Sequence, residues 1–266
     1  MQEQLKKLQE LSETKPEMAV KIALDYFARP PKTNASKEAR KVLAKGKDVK
    51  FKSGIAATEW GTGKTIALFH GWGAQRGRLY SFVEPLLQKG FRVIAVDARA
   101  HGDSVGEKTN AVDYSEMILE LVPELGDVYA AIGHSMGAGA LVYAIYKGFY
   151  LQRAVLLAGA YNWEYQIKFF AKSIGFSDEL QDAFFNHIRS LRKEIVDISN
   201  VAPLAKDFEQ KALIFHSQED ERVPFVDSEL LAKYWKGSEF VVLDGLGHSN
   251  LLEDKAVVAK TVDFLS

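Results

Sequence analysis

A serine stands between two glycines in the run Gly133-His134-Ser135-Met136-Gly137, directly after the apolar stretch VYAAI and directly before AGALVYAIYKGF. On a tight turn from a strand into a helix, a serine hydroxyl is exposed, and side chains in place of the glycines would collide with the strand or helix. The bare pattern G-x-S-x-G arises often by chance. Its position between a strand and a helix indicates a nucleophile elbow, so we predict that Ser135 is a nucleophile.

A serine hydroxyl becomes an effective nucleophile only when a base takes its proton. In an elbow of this kind the chain order is serine, then acid, then histidine, and the histidines after Ser135 are His187, His216 and His248. His216 ends an apolar strand and is interpreted as structural, and His187 lies in a predicted insertion. His248 follows the last strand in the Gly-rich segment Leu243–Ser249, at the sheet edge where ligands bind in open α/β sheets. We therefore predict His248 as the base.

The acid that orients this histidine is expected on the loop after the penultimate strand, where Glu219, Asp220 and Glu221 are neighbours. Its task is to hold the imidazole in one tautomer and to stabilise the imidazolium. Asp220 is preferred because an aspartate side chain is shorter and stiffer than that of a glutamate. The alternative for each of the three is a solvated loop carboxylate.

Negative charge that develops on an attacked carbonyl oxygen needs fixed N–H donors. The residue after the nucleophile supplies one of them, which here is Met136. The second predicted donor is the backbone N–H of Trp72 in His70-Gly71-Trp72-Gly73, because the flanking glycines let the backbone turn inward. The alternative is that Trp72 only packs.

Strands and helices alternate in the part of the chain that carries these residues. The runs FRVIAV, VYAAIG, RAVLLA, KALIFH and EFVVL are almost continuously apolar, which is typical of parallel strands covered on both faces. Earlier strands are predicted over Val49–Ile55 and Thr65–His70. Helices are predicted near residues 78–89, 111–125, 136–149, 226–236 and 251–265. The alternation predicts one α/β domain, residues 49–266, with a mostly parallel, doubly wound sheet.

About 50 residues separate the strand ending at Ala158 from the strand starting at Lys211, although one helix would suffice as a crossover. Residues 161–185 of this stretch contain eight aromatic residues. We therefore predict a small helical cap inserted at about residues 160–208. Most of the aromatic rings are expected to fill the core of the cap, whereas Trp163 and Phe170 are predicted to line a substrate pocket.

Residues 1–48 are predicted to form an N-terminal helical extension that packs on the main body. Its first helix, residues 2–28, is interrupted near Pro16, and a short helix capped by Ser36 follows. Residues 1–50 hold 12 Lys and Arg against 7 Asp and Glu. This excess indicates either solvated basic helices or a docking arm for an acidic partner or surface.

Composition excludes several classes of function. There is no cysteine, so disulfides, thiolate catalysis and cysteine-based zinc sites are excluded. The net charge is −1, which offers no general attraction to nucleic acid or to an anionic membrane. No run approaches the roughly 18 apolar residues of a membrane helix. Met1 to Leu11 has no apolar signal-peptide core, and we expect a cytoplasmic protein.

The segment Gly61-Thr62-Gly63-Lys64-Thr65 is similar to a phosphate-binding loop. The full pattern G-x-x-x-x-G-K-[ST] requires glycine at position 58, where this chain has Thr58. Such a loop also opens a helix, whereas Lys64-Thr65 leads into the apolar run IALFH. We therefore predict a hairpin turn and no nucleotide binding.

The segments HGWG (residues 70–73), DARAHGDS (97–104), GHSMG (133–137), HSQEDERVP (216–224) and GLGHS (245–249) follow one another in this order. Together they resemble the α/β-hydrolase superfamily over residues 49–266. The spacing from Asp220 to Val223-Pro224 also resembles that family, while Ala100 stands where a glycine is common. A serine at the elbow resembles esterases, lipases and acyl hydrolases, rather than the haloalkane dehalogenases and epoxide hydrolases, which have aspartate there.

These observations predict a carboxylesterase-type serine hydrolase that acts on small-molecule esters with small or medium acyl chains. The predicted mechanism uses no metal and no organic cofactor. A thioesterase, an amidase or a C–C bond hydrolase with the same triad stays open, because pocket shape decides the substrate. A non-catalytic binding module on the same fold is the third alternative, and it would be expected to have lost a triad residue.

Overall fold

The computed structural model describes residues 2–191 and 199–266, and the strands in these ranges form one sheet in the order β1-β2-β4-β3-β5-β6-β7-β8. The strands are β1 (Lys47–Lys50), β2 (Ala56–Trp60), β3 (Thr65–Phe69), β4 (Arg92–Val96), β5 (Val128–His134), β6 (Arg153–Leu157), β7 (Lys211–Ser217) and β8 (Ser238–Leu243). Strands β3 to β8 are parallel, and β1 and β2 form an antiparallel edge. The predicted mostly parallel sheet is therefore confirmed.

Helices cover both faces of the sheet. They are α1 (Gln2–Thr14), α2 (Pro16–Ala28), α3 (Lys37–Leu43), α4 (Val83–Gln88), α5 (Ala111–Leu125), α6 (Met136–Tyr146), α7 (Trp163–Ser173), α8 (Asp178–Leu191), α9 (Phe225–Tyr234), α10 (Gly247–Asn250) and α11 (Lys255–Leu265), with 3₁₀ turns over Arg76–Phe82 and Ala202–Asp207. One face packs on α4 and α11, and the other on α5, α6 and α9. Strand β3 contributes side chains to the hydrophobic core on each face, because Ile66 and Leu68 point to the first face while Ala67 and Phe69 point to the second.

Two predictions about the first strands are wrong. The predicted strand Val49–Ile55 ends at Lys50, and the chain turns at Gly54, whose φ of 80° suits glycine. Strand β2 was not predicted. The turn between β2 and β3 does not form a hairpin either, because both strands pair with β4, which lies between them. A local sequence pattern cannot indicate that a later strand is inserted between two neighbours.

The N-terminal helices agree with their sequence signals. Helix α1 ends before Pro16, where α2 begins, and the Ser36 hydroxyl accepts the Ala39 N–H at 3.1 Å as the cap of α3. Between β6 and β7 lie α7, α8 and the second 3₁₀ turn, whereas residues 192–198 of the predicted cap lie outside the described residues. Every helix in the described ranges is too short or too polar to span a bilayer.

Candidate active site

Ser135 occupies the turn between the end of β5 and the start of α6. Its backbone has φ 53° and ψ −121°, a strained conformation for a residue with a side chain. A Cβ on Gly133 would lie 2.7 Å from the Ala138 Cα, and one on Gly137 would lie 2.5 Å from the Phe69 carbonyl oxygen. Only glycine fits at these two positions, so the structure has the tight elbow geometry that the sequence predicts.

Asp220 and His248 meet across the loops that follow β7 and β8. The His248 Nδ1 lies 2.7 Å from the Asp220 Oδ2, and the Asp220 side chain has no solvent exposure. The other carboxylate oxygen accepts the N–H groups of Arg222 and Val223 at 2.9 and 3.0 Å. An ionised carboxylate only accepts hydrogen bonds, so His248 donates from Nδ1 and keeps its Nε2 free to act as a base.

A second histidine contacts the same carboxylate. The buried His216 Nε2 lies 3.1 Å from the Asp220 Oδ2 and 3.1 Å from the Val223 carbonyl oxygen. Two acceptors at one nitrogen require a hydrogen there, so His216 donates to Asp220, and its Nδ1 lies 2.6 Å from the Ser228 hydroxyl. The sequence interpretation of His216 as merely structural missed this contact. The available signal was its position four residues before Asp220, at the end of β7.

Burial alone would raise the pKa of Asp220. Hydrogen bonds from His216 and His248, the charge of His248 and the Val223 N–H outweigh it and hold this pKa well below its usual range. Asp220 is therefore ionised at any pH near neutrality.

The neighbouring glutamates have other surroundings. Glu219 accepts the Ser217 hydroxyl at 2.8 Å and the Gly245 N–H at 2.7 Å, and these bonds lower its pKa. The bond to Gly245 stabilises the loop that carries His248. Glu221 is among the residues that line the cavity described below. Among the described residues, Asp220 is the carboxylate of this group that hydrogen-bonds His248.

The predicted oxyanion loop approaches the serine closely. A Cβ on Gly71 would lie 2.9 Å from the Ser135 Cβ. The His101 Nε2 accepts the Gly73 N–H at 3.0 Å, and the His70 Nδ1 lies 2.7 Å from the Gly71 carbonyl oxygen. Within the described chain the Trp72 N–H has no hydrogen-bond partner. The neighbours of Trp72 on both sides are therefore held by histidines, while the backbone N–H of Trp72 itself remains available.

Three buried histidines fix the loops around the site, and sequence reasoning assigned them no role. Burial lowers the pKa of His70 to about 4, and burial together with the charge of His70 lowers that of His101 to about 4. Burial and the charge of His248 lower the pKa of His134 to about 3. His134 donates from Nε2 to the backbone oxygen of His248 at 3.1 Å. Because these rings stay neutral, His70 and His101 can still accept backbone N–H groups.

A cavity of about 1170 Å³ is lined by six of the predicted site residues. These are Trp72, Ser135, Met136 and His248 together with Trp163 and Phe170 of α7, whereas Asp220 is not part of the lining. No hydrogen bond joins Ser135 to His248 in the described residues; catalytic contacts of this kind often tighten only when substrate binds. The same part of the chain contains no group of three His, Asp or Glu that could hold a metal ion.

Comparison with known proteins gives matches in both sequence and fold. A family profile described as "Alpha/beta hydrolase family" matches residues 66–197, about half of the chain. The non-heme chloroperoxidase CPO-A1 of Kitasatospora aureofaciens is 31% identical over 146 residues, which cover 51% of this chain and 50% of that protein. The chain spans half or less of the length of the curated relatives it matches.

Solved structures match over most of the chain. The esterase Pf2001 of Pyrococcus furiosus has a TM-score of 0.66 and 19% identity, and the match covers 89% of this chain and 98% of that chain. The meta-cleavage product hydrolase CumD of Pseudomonas fluorescens has a TM-score of 0.61 and 18% identity, covering 84% and 98% of the two chains. At these identities the likeness shows a shared fold.

Proposed function

Because the chain has the α/β-hydrolase fold and belongs to the α/β-hydrolase superfamily, we propose that it is a serine hydrolase that cleaves carboxylic esters of small or medium acyl chains. The observation that carries this proposal is the Asp220–His248 hydrogen bond beside the cavity that Ser135 lines. A buried, ionised acid behind a histidine with one free nitrogen is the arrangement that activates a serine hydroxyl.

In the proposed reaction the His248 Nε2 takes the proton of the Ser135 hydroxyl while the oxygen attacks the ester carbonyl. The N–H groups of Trp72 and Met136 stabilise the oxyanion. Collapse of the tetrahedral intermediate breaks the bond to the alcohol, which leaves with the proton from His248. Water then attacks the acyl-enzyme, gives a proton to His248 and releases the acid, after which Ser135 recovers its proton. No metal and no cofactor takes part.

Hydrolysis of a thioester, an amide or a C–C bond by the same triad is the alternative within this class. The names of the curated relatives add a further candidate, the oxidation of halide by hydrogen peroxide. A non-catalytic binding module is disfavoured because Ser135, Asp220 and His248 are all present. The cytoplasmic location, and the division into an extension, a hydrolase domain and a cap, also remain predictions.

The test compares Ser135→Ala with Ser190→Ala, which alters an exposed serine of α8. Hydrolysis of p-nitrophenyl butyrate is expected to fall by about 10⁶-fold in Ser135→Ala, since loss of the nucleophile disables the whole triad. It is expected to be unchanged in Ser190→Ala and in the wild type with a metal chelator. Wild-type-like turnover by Ser135→Ala would remove this residue from the mechanism.

The same wild-type preparation is assayed on matched thioester and amide substrates and for bromide oxidation by hydrogen peroxide. Faster turnover of the thioester than of the oxygen ester would change the proposed substrate class and leave the nucleophile in place. Absence of all these activities, with no labelling of Ser135 by an active-site phosphonate, would favour the non-catalytic alternative.

A further inference from the structure

The N-terminal helix α2 forms one wall of the cavity. Leu24, Phe27 and Ala28 are among the residues that line it, as are Ser135 and His248. We propose that this helix completes the acyl-binding half of the cavity and that Phe27 makes the enzyme prefer esters of medium-length, apolar acyl chains over acetate esters. The inference rests on the proposed esterase activity and names its substrate class.

Phe27 joins three parts of the molecule through aromatic contacts. Its half-buried ring stacks on Trp72 of the oxyanion loop, with ring centroids 6.4 Å apart. It also contacts Phe170 of α7 at 5.0 Å and Phe184 of α8 edge-on at 5.9 Å. One side chain of the extension therefore connects the oxyanion loop to both cap helices and closes the apolar surface between them.

The chain after α2 is tied to the oxyanion loop as well. The Thr33 hydroxyl donates to the Gly73 carbonyl oxygen at 2.6 Å, and Pro31 packs so closely that a Cβ on Gly73 would lie 2.8 Å from it. The Ala28 carbonyl oxygen accepts the Thr109 N–H at 2.9 Å. These contacts make the extension a fixed wall of the site.

Salt bridges hold α2 to the segment before α5. Arg29 contacts Glu107 at 2.8 Å, and Asp25 contacts Lys108 at 2.5 Å. The charges of Asp25 and Lys108, which both line the cavity, thus neutralise each other, and Arg78, which also lines it, pairs with Glu253. Besides polar residues such as Lys21, Gln166 and Ser173, α2, α7 and the oxyanion loop contribute apolar groups to the lining, namely Leu24, Phe27, Trp72, Trp163, Ile167 and Phe170. These apolar groups favour an uncharged, apolar acyl chain.

The size of this apolar space selects against short acyl groups. An acetyl group would leave most of the aromatic wall in contact with water. Each methylene that leaves water for an apolar wall strengthens binding by about fourfold. In the roughly 1170 Å³ cavity we expect an octanoyl chain to cover more of the apolar wall contributed by α2 and α7 than an acetyl group does.

The test measures kcat/KM for p-nitrophenyl acetate and p-nitrophenyl octanoate. The wild type is expected to prefer octanoate. Phe27→Ala is expected to lower kcat/KM for octanoate at least about tenfold and for acetate less than about threefold, since one apolar contact is worth about tenfold or more. Met18→Ala, an exposed position on the same helix, is the control and should match the wild type. Equal losses on both esters, or a wild type that prefers acetate, would overturn the inference.

Phe27→Leu covers the case in which Phe27→Ala does not fold, as judged by circular dichroism. It keeps an apolar side chain but loses the ring contacts, so the octanoate-to-acetate ratio is still expected to fall about threefold or more. An unchanged ratio in folded Phe27→Leu would overturn the inference.

A binding measurement distinguishes failure of this inference from failure of the proposed esterase activity. Calorimetry measures the affinity of methyl octanoate for Ser135→Ala and for Ser135→Ala with Phe27→Ala. If the wild type cleaves no ester, a tenfold weaker affinity in the double variant keeps the wall inference while the esterase proposal fails. If esters are cleaved but the substitution at Phe27 leaves both the ratio and the affinity unchanged, the wall inference fails while the esterase proposal stands.

Discussion

At the scale of single residues, two imidazoles donate to one carboxylate oxygen. His248 and His216 approach the Asp220 Oδ2 at 2.7 and 3.1 Å, and the Asp220 side chain has no exposed surface. A buried carboxylate is costly unless its hydrogen-bonding capacity is filled. His216 fills part of that capacity and thereby keeps Asp220 charged and fixed in front of His248.

Asp220→Asn is expected to reduce ester turnover by about 10⁴-fold, because an amide no longer selects the productive tautomer of His248. Glu219→Gln and Glu221→Gln are the matched controls and are expected to change the rate less than about tenfold, a difference of about 1.4 kcal/mol in barrier height. All three variants are measured at pH 8 on one ester. Should Glu219→Gln be the disabled variant, the orienting acid is misassigned by one residue.

At the scale of elements, a buried ion pair ties the 3₁₀ turn over Arg76–Phe82 to the loop after β4. Asp97 has no exposed surface, and its carboxylate contacts the Arg76 guanidinium, the Arg76 N–H at 2.6 Å and the Asp103 N–H at 2.9 Å. Gly102 packs directly against this carboxylate with φ 47°, so a side chain there would collide with it. The 3₁₀ turn that carries Arg76 directly follows the oxyanion loop, so the Arg76–Asp97 ion pair fixes the position at which that loop ends.

Arg76→Met is expected to lower the free energy of unfolding by about 3–5 kcal/mol, because it leaves the Asp97 carboxylate buried without its cation. Arg99→Met removes the exposed ion pair with Glu120 and is expected to cost less than about 1 kcal/mol. Urea denaturation at pH 7 measures both. Equal losses in the two variants would contradict the assignment of the Arg76–Asp97 pair as a buried structural contact.

At the scale of the whole molecule, buried titratable groups couple stability to pH. His70, His101 and His134 have pKa values of about 4, 4 and 3 in the folded chain against 6.5 when unfolded, so the unfolded chain binds more protons between pH 6.5 and 4. Burial raises the pKa of Asp227 from 3.8 to about 6, so between these pH values this carboxyl binds a proton in the folded chain but not in the unfolded chain. Asp227 therefore opposes the effect of the three histidines on the pH dependence of stability. Its stabilisation is complete below pH 3.8 and is lost as the pH rises through 6.

Between pH 6.5 and 4 the unfolded chain therefore binds about two more protons than the folded chain. On acidification the free energy of unfolding should fall by at most about 3 kcal/mol per pH unit. Below pH 4, Asp220 adds a further loss, since a carboxylate with a lowered pKa stabilises the fold only while it is ionised. Urea denaturation at pH 7, 6, 5 and 4.5 tests the expectation. An unfolding free energy that stays constant or increases from pH 6.5 to 4.5 would contradict it.

The sequence by itself determined the features that depend on local chemistry. The elbow around Ser135 is readable because only glycine fits on either side of such a turn. The continuously apolar runs indicate parallel strands because helices cover both faces of the inner strands β4 to β7, whereas the edge strand β8 stays partly exposed. The pairing of Asp220 with His248 was predictable because consecutive parallel strands bring the loops at their ends to the same edge of the sheet.

Only the tertiary structure decided the contacts that join distant segments without a local signature. The insertion of β4 between β2 and β3, the donation from His216 to Asp220 and the stacking of Phe27 on Trp72 are of this kind. An amphipathic helix buries its apolar face, but the helical period does not specify what that face is buried against. That choice depends on how the surfaces of the assembled sheet, cap and extension fit together in three dimensions.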